Sequence, residues 1–333
     1  MRNRVFIIAE AGVNHNGDPD LAREMVIAAA RAGADAVKFQ TFKADALVTP
    51  DTPLAGYQQA STGSSGSQFE MLKKLELTNQ AHHDLLKDCA RMKIEFMSTP
   101  FDLVSAQLLM DLGLKRFKVG SGDLTNLPLL KKLGGFKKEV ILSTGMGNLE
   151  EIRAALRILN RAGTPDKQIV VLHANTEYPS PFEDVNLKAM VTIGQEFNIR
   201  TGYSDHTPGI EVPVAAVAMG ACVIEKHFTL DRSMEGPDHR ASLLPDELHA
   251  MVEAIRHIEA ALGHGTKEPS PSEMKNMAVA RKSLVAACEI QEGEPFTEQN
   301  LCVKRPGTGI SPLHWEEIIG TPATKNYKKN DLI

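Results

Sequence analysis

Eight short apolar runs recur over the first 262 residues, and amphipathic stretches separate them. The runs are Val5 to Ala9, Ala34 to Gln40, Ile94 to Ser98, Arg116 to Val119, Glu139 to Ser143, Ile169 to His173, Arg200 to Ser204 and Cys222 to His227. Strands that alternate with helices form parallel βαβ units, and eight such units match a closed barrel better than an open sheet. The sequence therefore predicts a (β/α)8 TIM barrel.

Helix signals mark the stretches between the strands. Asp18 is a predicted N-cap, Pro19 suits the first helical position and Gly33 follows the last turn. Further helices are predicted after Thr78, after Asp102 and after Asn148, which forms a capping pair with Glu151; Gly113, Gly163 and Gly220 stand at C-terminal positions.

Beyond the barrel the composition changes. Residues 1–262 are predicted to be the catalytic barrel, residues 263–279 a Gly/Pro/Ser-rich linker, and residues 280–333 a small, mostly irregular β domain. The segment Lys43 to Gln68, which contains seven Ser, Thr and Gly residues from position 61 to position 67, is longer than most loops. It is interpreted either as a lid or as a disordered stretch.

The charge balance limits the classes of partner. Lys and Arg total 37 against 42 Asp and Glu, for a formal net charge of -5, so neither nucleic acid nor an anionic membrane is an expected partner. Cys89, Cys222, Cys288 and Cys302 are scattered, which favours a reducing cytoplasm over a disulfide framework. The N-terminal apolar run is short and meets Glu10, which indicates a buried strand and not a signal peptide.

Polar residues finish every predicted strand. In a barrel the active site lies at the carboxyl ends of the strands, and period-two alternation selects the side chains that face inward. By this alternation the inward residues are Glu10, Lys38, Gln40, Thr99, Lys118, Ser143, His173, Asn175, Ser204, His206, Glu225 and His227. Each could instead form a structural ion pair or cap a helix, but their coincidence at one mouth favours a site.

Two of these residues are lysines that a barrel would bury. With the hydroxyls of Ser121, Ser143 and Ser204, Lys38 and Lys118 form a predicted anion site that suits a phosphate or carboxylate group. The peptide Gly120-Ser121-Gly122 adds backbone amides that could hold an oxyanion.

Two histidines end consecutive predicted strands. His206 and His227 could share one divalent metal whose remaining positions are left to water and substrate, although a lone histidine is more often a core residue. The metal could be Mn2+, Mg2+ or Co2+, and affinity order alone does not select one. Asp238 and His239 lie on the following loop, and His15 and His173 are weaker candidates for metal ligation.

These motifs resemble those of the bacterial sialic-acid synthase family over nearly the whole chain. They are Ile8-Ala-Glu10-Ala-Gly-Val-Asn14-His-Asn16-Gly, Val37-Lys38-Phe-Gln40, Val119-Gly-Ser-Gly122, Gly202-Tyr-Ser-Asp-His206-Thr, Glu225-Lys-His227-Phe-Thr and Lys304-Arg305-Pro-Gly307. The resemblance implies a TIM barrel followed by an antifreeze-like (SAF-type) domain. It also implies condensation of phosphoenolpyruvate with an N-acetylated mannosamine-type sugar and water, giving a nonulosonic acid and phosphate by C–O cleavage.

Within the family, the segments Asn175 to Pro181 and Gly236 to Ser242 look more like those of the legionaminic-acid synthases than those of the N-acetylneuraminate synthases. The acceptor would then be 2,4-diacetamido-2,4,6-trideoxymannose and the product N,N'-diacetyllegionaminate. An N-acetylneuraminate synthase that uses N-acetylmannosamine is the alternative. A noncatalytic carbohydrate-binding relative and a 3-deoxy sugar-acid synthase are more distant alternatives, and the latter lacks a second basic cluster.

The resemblance also implies residue roles. Phosphoenolpyruvate would bind Lys38, Lys118, Ser121, Ser143 and Ser204, near Asn175 or Thr176. His206 and His227 would hold the metal, with Mn2+ as the first expectation, and Glu10 and Asp123 would position sugar or water. The residues that would contact the substrates are Gln40, Thr99, Tyr178 and Asp238. Asp123 stands where the family carries a glutamate, so the carboxylate is retained on a side chain that is one methylene shorter. Arg305 would reach the site from the second subunit of a domain-swapped homodimer.

Overall fold

A computed structural model of the chain describes residues 4–54 and 66–333. The chain forms two compact units, Met1–Gly263 and His264–Ile333. Eleven residues of the segment Lys43 to Gln68, 55–65, lie outside the described residues, so neither interpretation of that segment is tested. In the described part of the chain, no helix combines the length and the apolar character needed to cross a bilayer.

The first unit is built on eight parallel strands. They are β1 (Phe6–Gly12), β2 (Ala36–Thr41), β3 (Glu95–Pro100), β4 (Arg116–Val119), β5 (Glu139–Ser143), β6 (Ile169–Ala174), β7 (Arg200–Asp205) and β8 (Val223–His227). The hydrogen-bonded order is β3-β2-β1-β8-β7-β6-β5-β4, and β3 lies against β4, which brings the ends of the sheet together. The predicted (β/α)8 barrel is confirmed, and each predicted strand is present to within two or three residues at its ends.

Helices follow the strands, and all of them except α2 and α3 cover the outside of the sheet. They are α1 (Pro19–Ala32), α2 (Ala44–Leu47), α3 (Gln68–Leu75), α4 (Asn79–Met92), α5 (Leu103–Asp111), α6 (Leu127–Gly135), α7 (Leu149–Ala162), α8 (Lys188–Phe197), α9 (Glu211–Ala218) and α10 (Pro245–Ala261). The predicted caps act as expected: the Asp18 side chain accepts from Asp20 N–H and Leu21 N–H, and Gly33 ends α1 in the left-handed conformation.

Two apolar layers position the strand ends. A small cluster fills the barrel interior below the mouth and consists of Ile8, Ala36, Met97, Ile141, Val170, Leu172 and Val223. A larger cluster lies between the strands and the helices and includes Ile7, Val37, Phe39, Phe117 and Tyr203. Because alternate residues of each strand enter different layers, the polar residues that follow the interior cluster on each strand face the mouth.

The second unit is a small domain with its own core. It contains α11 (Pro271–Ala280), antiparallel β9 (Ser283–Ala286) and β10 (Leu301–Lys304), and α12 (Trp315–Ile318). Its buried apolar residues are Ala286, Ile290, Phe296, Leu301, Ala323 and Tyr327. The predicted linker is irregular only as far as Ser270, because Ser270 and Glu273 form a capping box and Pro271 occupies the first turn of α11, where proline starts a helix instead of breaking it.

Candidate active site

A cavity of about 340 Å3 opens at the carboxyl ends of the barrel strands, which is within the size range of small-molecule sites. Its polar lining comes from every strand or the connection after it. The polar lining residues include Glu10, Lys38, Gln40, Thr99, Lys118, Ser121, Ser143, Thr176, Tyr178, Ser204, His206, Glu225, His227 and Asp238. Thirteen of the sixteen site residues predicted from the sequence therefore lie around one cavity.

Lys38 is buried at the base of the cavity. Its Nζ lies 2.6 Å from Glu10 Oε2 and 3.6 Å from Glu225 Oε2, and it donates to Thr99 Oγ1 at 2.9 Å. Burial lowers the pKa of a lysine, but the two carboxylates outweigh burial here and raise the pKa of Lys38. The ammonium group is therefore fully charged at neutral pH.

Lys118 is the second buried ammonium group. It donates to Ser143 Oγ at 2.7 Å and to the Val119 carbonyl at 3.0 Å, and it lies 3.5 Å from Glu225 Oε1. Burial lowers the pKa of Lys118, and the attraction of Glu225 offsets this only in part. A lysine desolvated in this way gains from any further anion that enters the cavity.

Glu225 joins the two lysines. It accepts from Ser204 Oγ at 3.0 Å, and Lys118 and Lys38 together outweigh the effect of burial and lower its pKa. Alternation along β8 predicts that Glu225 faces inward, but no sequence pattern indicates its role, because that role depends on two lysines from other strands. Glu10 differs, since burial outweighs Lys38 and raises its pKa to about 7.

His206 and His227 lie side by side at the mouth, with ring centroids 5.5 Å apart. His206 Nδ1 bonds to the Asn175 carbonyl, which can only accept, so Nδ1 carries the proton and Nε2 keeps its lone pair. Burial lowers the pKa of His206 to about 4 and lowers that of His227 well below its usual value. Both imidazoles are therefore neutral, which is the protonation state that binds a metal.

The donor set around the imidazoles fits a divalent cation. His227 Nδ1 is buried without a hydrogen-bond partner and lies 3.9 Å from Asp238 Oδ2. An orphaned ring nitrogen beside a second neutral imidazole is an arrangement that a shared metal would satisfy. Across residues 4–54 and 66–333, no group of three or more His, Cys, Asp or Glu is arranged for metal binding, so water or substrate would supply the other ligands.

Neighbouring residues fix the two rings. The Tyr178 ring lies 4.1 Å from the His206 ring and meets the His227 ring edge-on at 5.7 Å. Gly12 ends β1 with φ +54°, and a Cβ there would lie 3.3 Å from His227 Cε1. A larger residue at this position would be strained and would crowd the imidazole.

Two predicted site residues are outside the cavity lining, and a third belongs to the second unit. Asp123 is buried in a 3-10 turn after β4, where it accepts from Asn126 Nδ2 at 2.8 Å, and it is not part of the cavity lining. Asn175 points away from the cavity; its Oδ1 accepts from Glu177 N–H and from Ser180 Oγ, and only its backbone carbonyl serves the site, through His206. Arg305 belongs to the second unit, where it is exposed and donates to the Ala280 carbonyl.

The weaker histidine candidates have structural contacts. The prediction that His173 faces the barrel interior is wrong: its Nε2 bonds to the Val185 carbonyl at 2.8 Å, whereas Leu172 faces the interior. His15 is fully buried and its Nδ1 accepts from Gly17 N–H. His239 bonds to Thr229 Oγ1 and Asn16 Oδ1. None of these three lines the cavity.

Comparison with known proteins adds to this geometry. Residues 25–267 match the NeuB family and residues 281–333 match the SAF domain. The chain is 53% identical over 330 residues to N,N'-diacetyllegionaminic acid synthase of Campylobacter jejuni subsp. jejuni, covering 99% of both chains. It is 47% identical to the protein of the same name from Legionella pneumophila subsp. pneumophila, covering 96% of this chain and 91% of that protein.

A solved structure agrees with these sequence relatives. The crystal structure of the N-acetylneuraminic acid (sialic acid) synthetase from Leptospira borgpetersenii serovar Hardjo-bovis, in complex with citrate, superimposes with a TM-score of 0.71. It is 36% identical in sequence, and the match covers 82% of this chain and 90% of that chain.

Proposed function

This chain belongs to the NeuB family, and on that premise we propose that it condenses phosphoenolpyruvate with 2,4-diacetamido-2,4,6-trideoxymannose and water. The products are N,N'-diacetyllegionaminate and phosphate. The identity of 53% and 47% with two N,N'-diacetyllegionaminic acid synthases supports this choice of sugar over N-acetylmannosamine. The single observation that carries the chemistry is the convergence of two buried ammonium groups and two neutral imidazoles on one cavity.

The lysines supply the phosphoenolpyruvate subsite. Lys118 donates to Ser143 Oγ, Ser204 donates to the Glu225 carboxylate that lies beside both lysines, and Ser121 also lines the cavity. In the free protein Glu10 and Glu225 neutralise the two ammonium groups. A trianionic substrate would replace the two carboxylates as the partner of both ammonium groups, because it brings more negative charge and more hydrogen-bond acceptors.

The imidazoles supply the aldehyde subsite. We assign His206 and His227 as the ligands of a divalent metal, with Mn2+ as the first choice and Mg2+ or Co2+ as alternatives. Such an ion, when bound, polarises a carbonyl oxygen as a Lewis acid. Tyr178 would hold the imidazoles in place through its ring contacts, and Asp238 would steady His227 from 3.9 Å.

Bond making and breaking follow from these subsites. A bond forms between C3 of phosphoenolpyruvate and the aldehyde carbon, and the aldehyde oxygen becomes a hydroxyl by taking up one proton. Water adds to C2 and supplies that proton, and the C2–O bond breaks so that C2 becomes a carbonyl and phosphate leaves with its ester oxygen. We assign Glu10 to orient this water and accept its proton, because its pKa of about 7 suits a general base at neutral pH. Asp123 is held by Asn126 outside the lining, so we give it no direct part. Gln40, Thr99 and Thr176 would contact the substrates.

We further propose a domain-swapped homodimer in which Arg305 of a second copy completes the sugar subsite. Large apolar side chains stand exposed around the carboxyl-end rim of the barrel: Leu103, Val104, Leu127, Met146, Leu149 and Phe182. In the second unit Leu313 is 92% exposed, eight residues beyond Arg305. Exposed apolar patches of this kind mark interaction surfaces, so the small domain of another copy is a fitting cover for the rim.

We also propose a cytoplasmic location. All four cysteines are unpaired, which supports a reducing cytoplasm.

The direct test is a product analysis. Purified protein is offered phosphoenolpyruvate with each sugar in turn, with added Mn2+, and the product is identified by mass while phosphate release is followed. We expect the nine-carbon product from the diacetamido sugar, and loss of phosphate release in His206→Ala and Lys118→Ala. Exposed His257→Ala and Lys115→Ala are the matched controls and should keep full activity. Product from N-acetylmannosamine alone would contradict the choice of acceptor.

A further inference from the structure

The cavity lining combines charged and apolar groups. The connections after β2 and β3 contribute an apolar surface, which we call the apolar wall. It consists of Leu47, Val48, Met71, Leu72, Leu75 and Phe101. Among the described residues of α3, Gln68 at the first turn is the one polar side chain that reaches the cavity.

The apolar wall is held in place as a unit. Leu75 is buried with Val13 and Phe42, and the other wall residues Leu47, Met71, Leu72 and Phe101 are only partly buried against this cluster. They therefore keep exposed apolar surface that faces the cavity. A wall of this kind is costly to leave in water unless a ligand covers it.

Ion pairs on the solvent side fix α2 and α3 to each other. Lys43 Nζ lies 3.0 Å from Glu76 Oε2, and Glu76 Oε1 accepts from Ala44 N–H at 2.9 Å. Lys73 Nζ lies 2.9 Å from Asp45 Oδ2 and 3.3 Å from Glu76 Oε1. Because Asp45 of α2 and Lys73 of α3 are engaged with each other and Glu76 holds the start of α2, the two helices are fixed with Leu47, Met71 and Leu72 lining the cavity.

Resting on the proposed function, we infer that the apolar wall selects the acceptor by binding its C6 methyl group and the methyl of its 4-acetamido group. These are the two groups by which the diacetamido sugar differs from N-acetylmannosamine, which carries hydroxyls at both carbons. A hydroxyl against the wall loses its hydrogen bonds to water and finds no partner there, whereas a methyl group gains from burial. The wall thus acts on acceptor choice and not on phosphoenolpyruvate.

The test compares kcat/KM for the two sugars in polar variants of the wall. Met71→Gln and Leu72→Gln keep the side-chain size close to the original but offer hydrogen bonds. We expect kcat/KM for the diacetamido sugar to fall about tenfold or more while that for N-acetylmannosamine stays constant or rises, since one methyl in an apolar pocket is worth about 10-fold to 200-fold. The KM for phosphoenolpyruvate should not change.

Two controls separate the inference from its premise. Met219→Gln, partly exposed at the end of α9 on the amino side of the barrel, should leave both sugars unaffected. Leu47→Gln repeats the test from α2 if an α3 variant fails to fold. An unchanged ratio of the two kcat/KM values in folded wall variants overturns the inference alone. Wild-type protein that releases phosphate with neither sugar overturns the proposed function, and the inference with it.

Discussion

Lys226 and Asp205 form an ion pair in which neither side chain is exposed to solvent. Lys226 Nζ also donates to the Thr207 carbonyl at 2.6 Å, and Thr207 Oγ1 donates to Asp205 Oδ1 at 2.9 Å. Each member of the pair is the chain neighbour of a site imidazole, His206 or His227. The pair therefore joins the ends of β7 and β8 behind the cavity and fixes the spacing of the two rings.

We predict that Lys226→Met lowers the free energy of unfolding by about 3–5 kcal/mol, because it leaves the Asp205 carboxylate buried without its cation. The double variant Asp205→Asn with Lys226→Met should lose less than Lys226→Met alone, since no uncompensated charge remains. Urea unfolding of the three proteins measures both values. A Lys226→Met protein as stable as the wild type would show that the pair contributes nothing.

The second prediction concerns Glu10. Replacement by Gln should lower kcat about 100-fold or more, which is the size of a general-base contribution, without raising the KM for phosphoenolpyruvate. The KM for phosphoenolpyruvate should not rise, because the change removes a negative charge 2.6 Å from Lys38 that would otherwise compete with the substrate for this cation. Steady-state kinetics separates the two parameters, and a rise in KM with constant kcat would instead assign Glu10 to substrate binding.

Glu10 also predicts a pH dependence. With a pKa of about 7, its carboxylate fraction grows as the pH rises through neutrality. Since the pH dependence of kcat/KM reports the ionisable groups of the free enzyme, we expect kcat/KM of the wild type to increase from pH 6 to pH 8. This rise, the acidic limb of the pH profile, should be lost in Glu10→Gln. A limb that persists unchanged in the variant would belong to another group.

The third prediction concerns acid stability. Burial lowers the pKa of His15 from 6.5 to about 4, so between these values the unfolded chain binds a proton that the folded chain does not. The free energy of unfolding must then fall as the pH drops from 7 towards 4, by about 2 kcal/mol at pH 5 from this residue. His15→Asn should show a correspondingly smaller loss in urea unfolding at pH 7 and pH 5. The other buried histidines are present in both proteins, so the comparison measures His15 together with its repulsion by His82.

The fourth prediction tests the domain-swapped dimer. Arg305→Ala should raise the KM for the sugar about tenfold or more, as expected when a charged hydrogen bond is lost, while dimer mass and the KM for phosphoenolpyruvate stay unchanged. Lys304→Ala, which removes a neighbouring exposed cation bonded to Asn330, is the control. Full sugar affinity in Arg305→Ala, or full activity in dilute monomer measured by light scattering, would contradict the arrangement.

The sequence alone determined the barrel, its caps and most of the cavity lining. Caps such as Asp18 act within a few residues, and Lys38 with Gln40 or Glu225 with His227 mark the inward face of a strand by their polarity. These signals are local, so they can be recognised in the sequence without knowledge of the fold. Five of the six motifs that carried the family resemblance lie along the same barrel strands and the loops after them, and the sixth, Lys304 to Gly307, belongs to the second unit.

Four features required knowledge of the folded chain: the phase of β6, the surroundings of Asp123, the role of Glu225 and the existence of the apolar wall. Val170, Val171 and Leu172 are all fully buried, because β6 is covered on both faces. A strand of this kind has no alternation in polarity, so the sequence cannot tell which residues point inward, and His173 was assigned to the wrong side. The other three features depend on side chains that distant segments bring together, and no local pattern records such contacts.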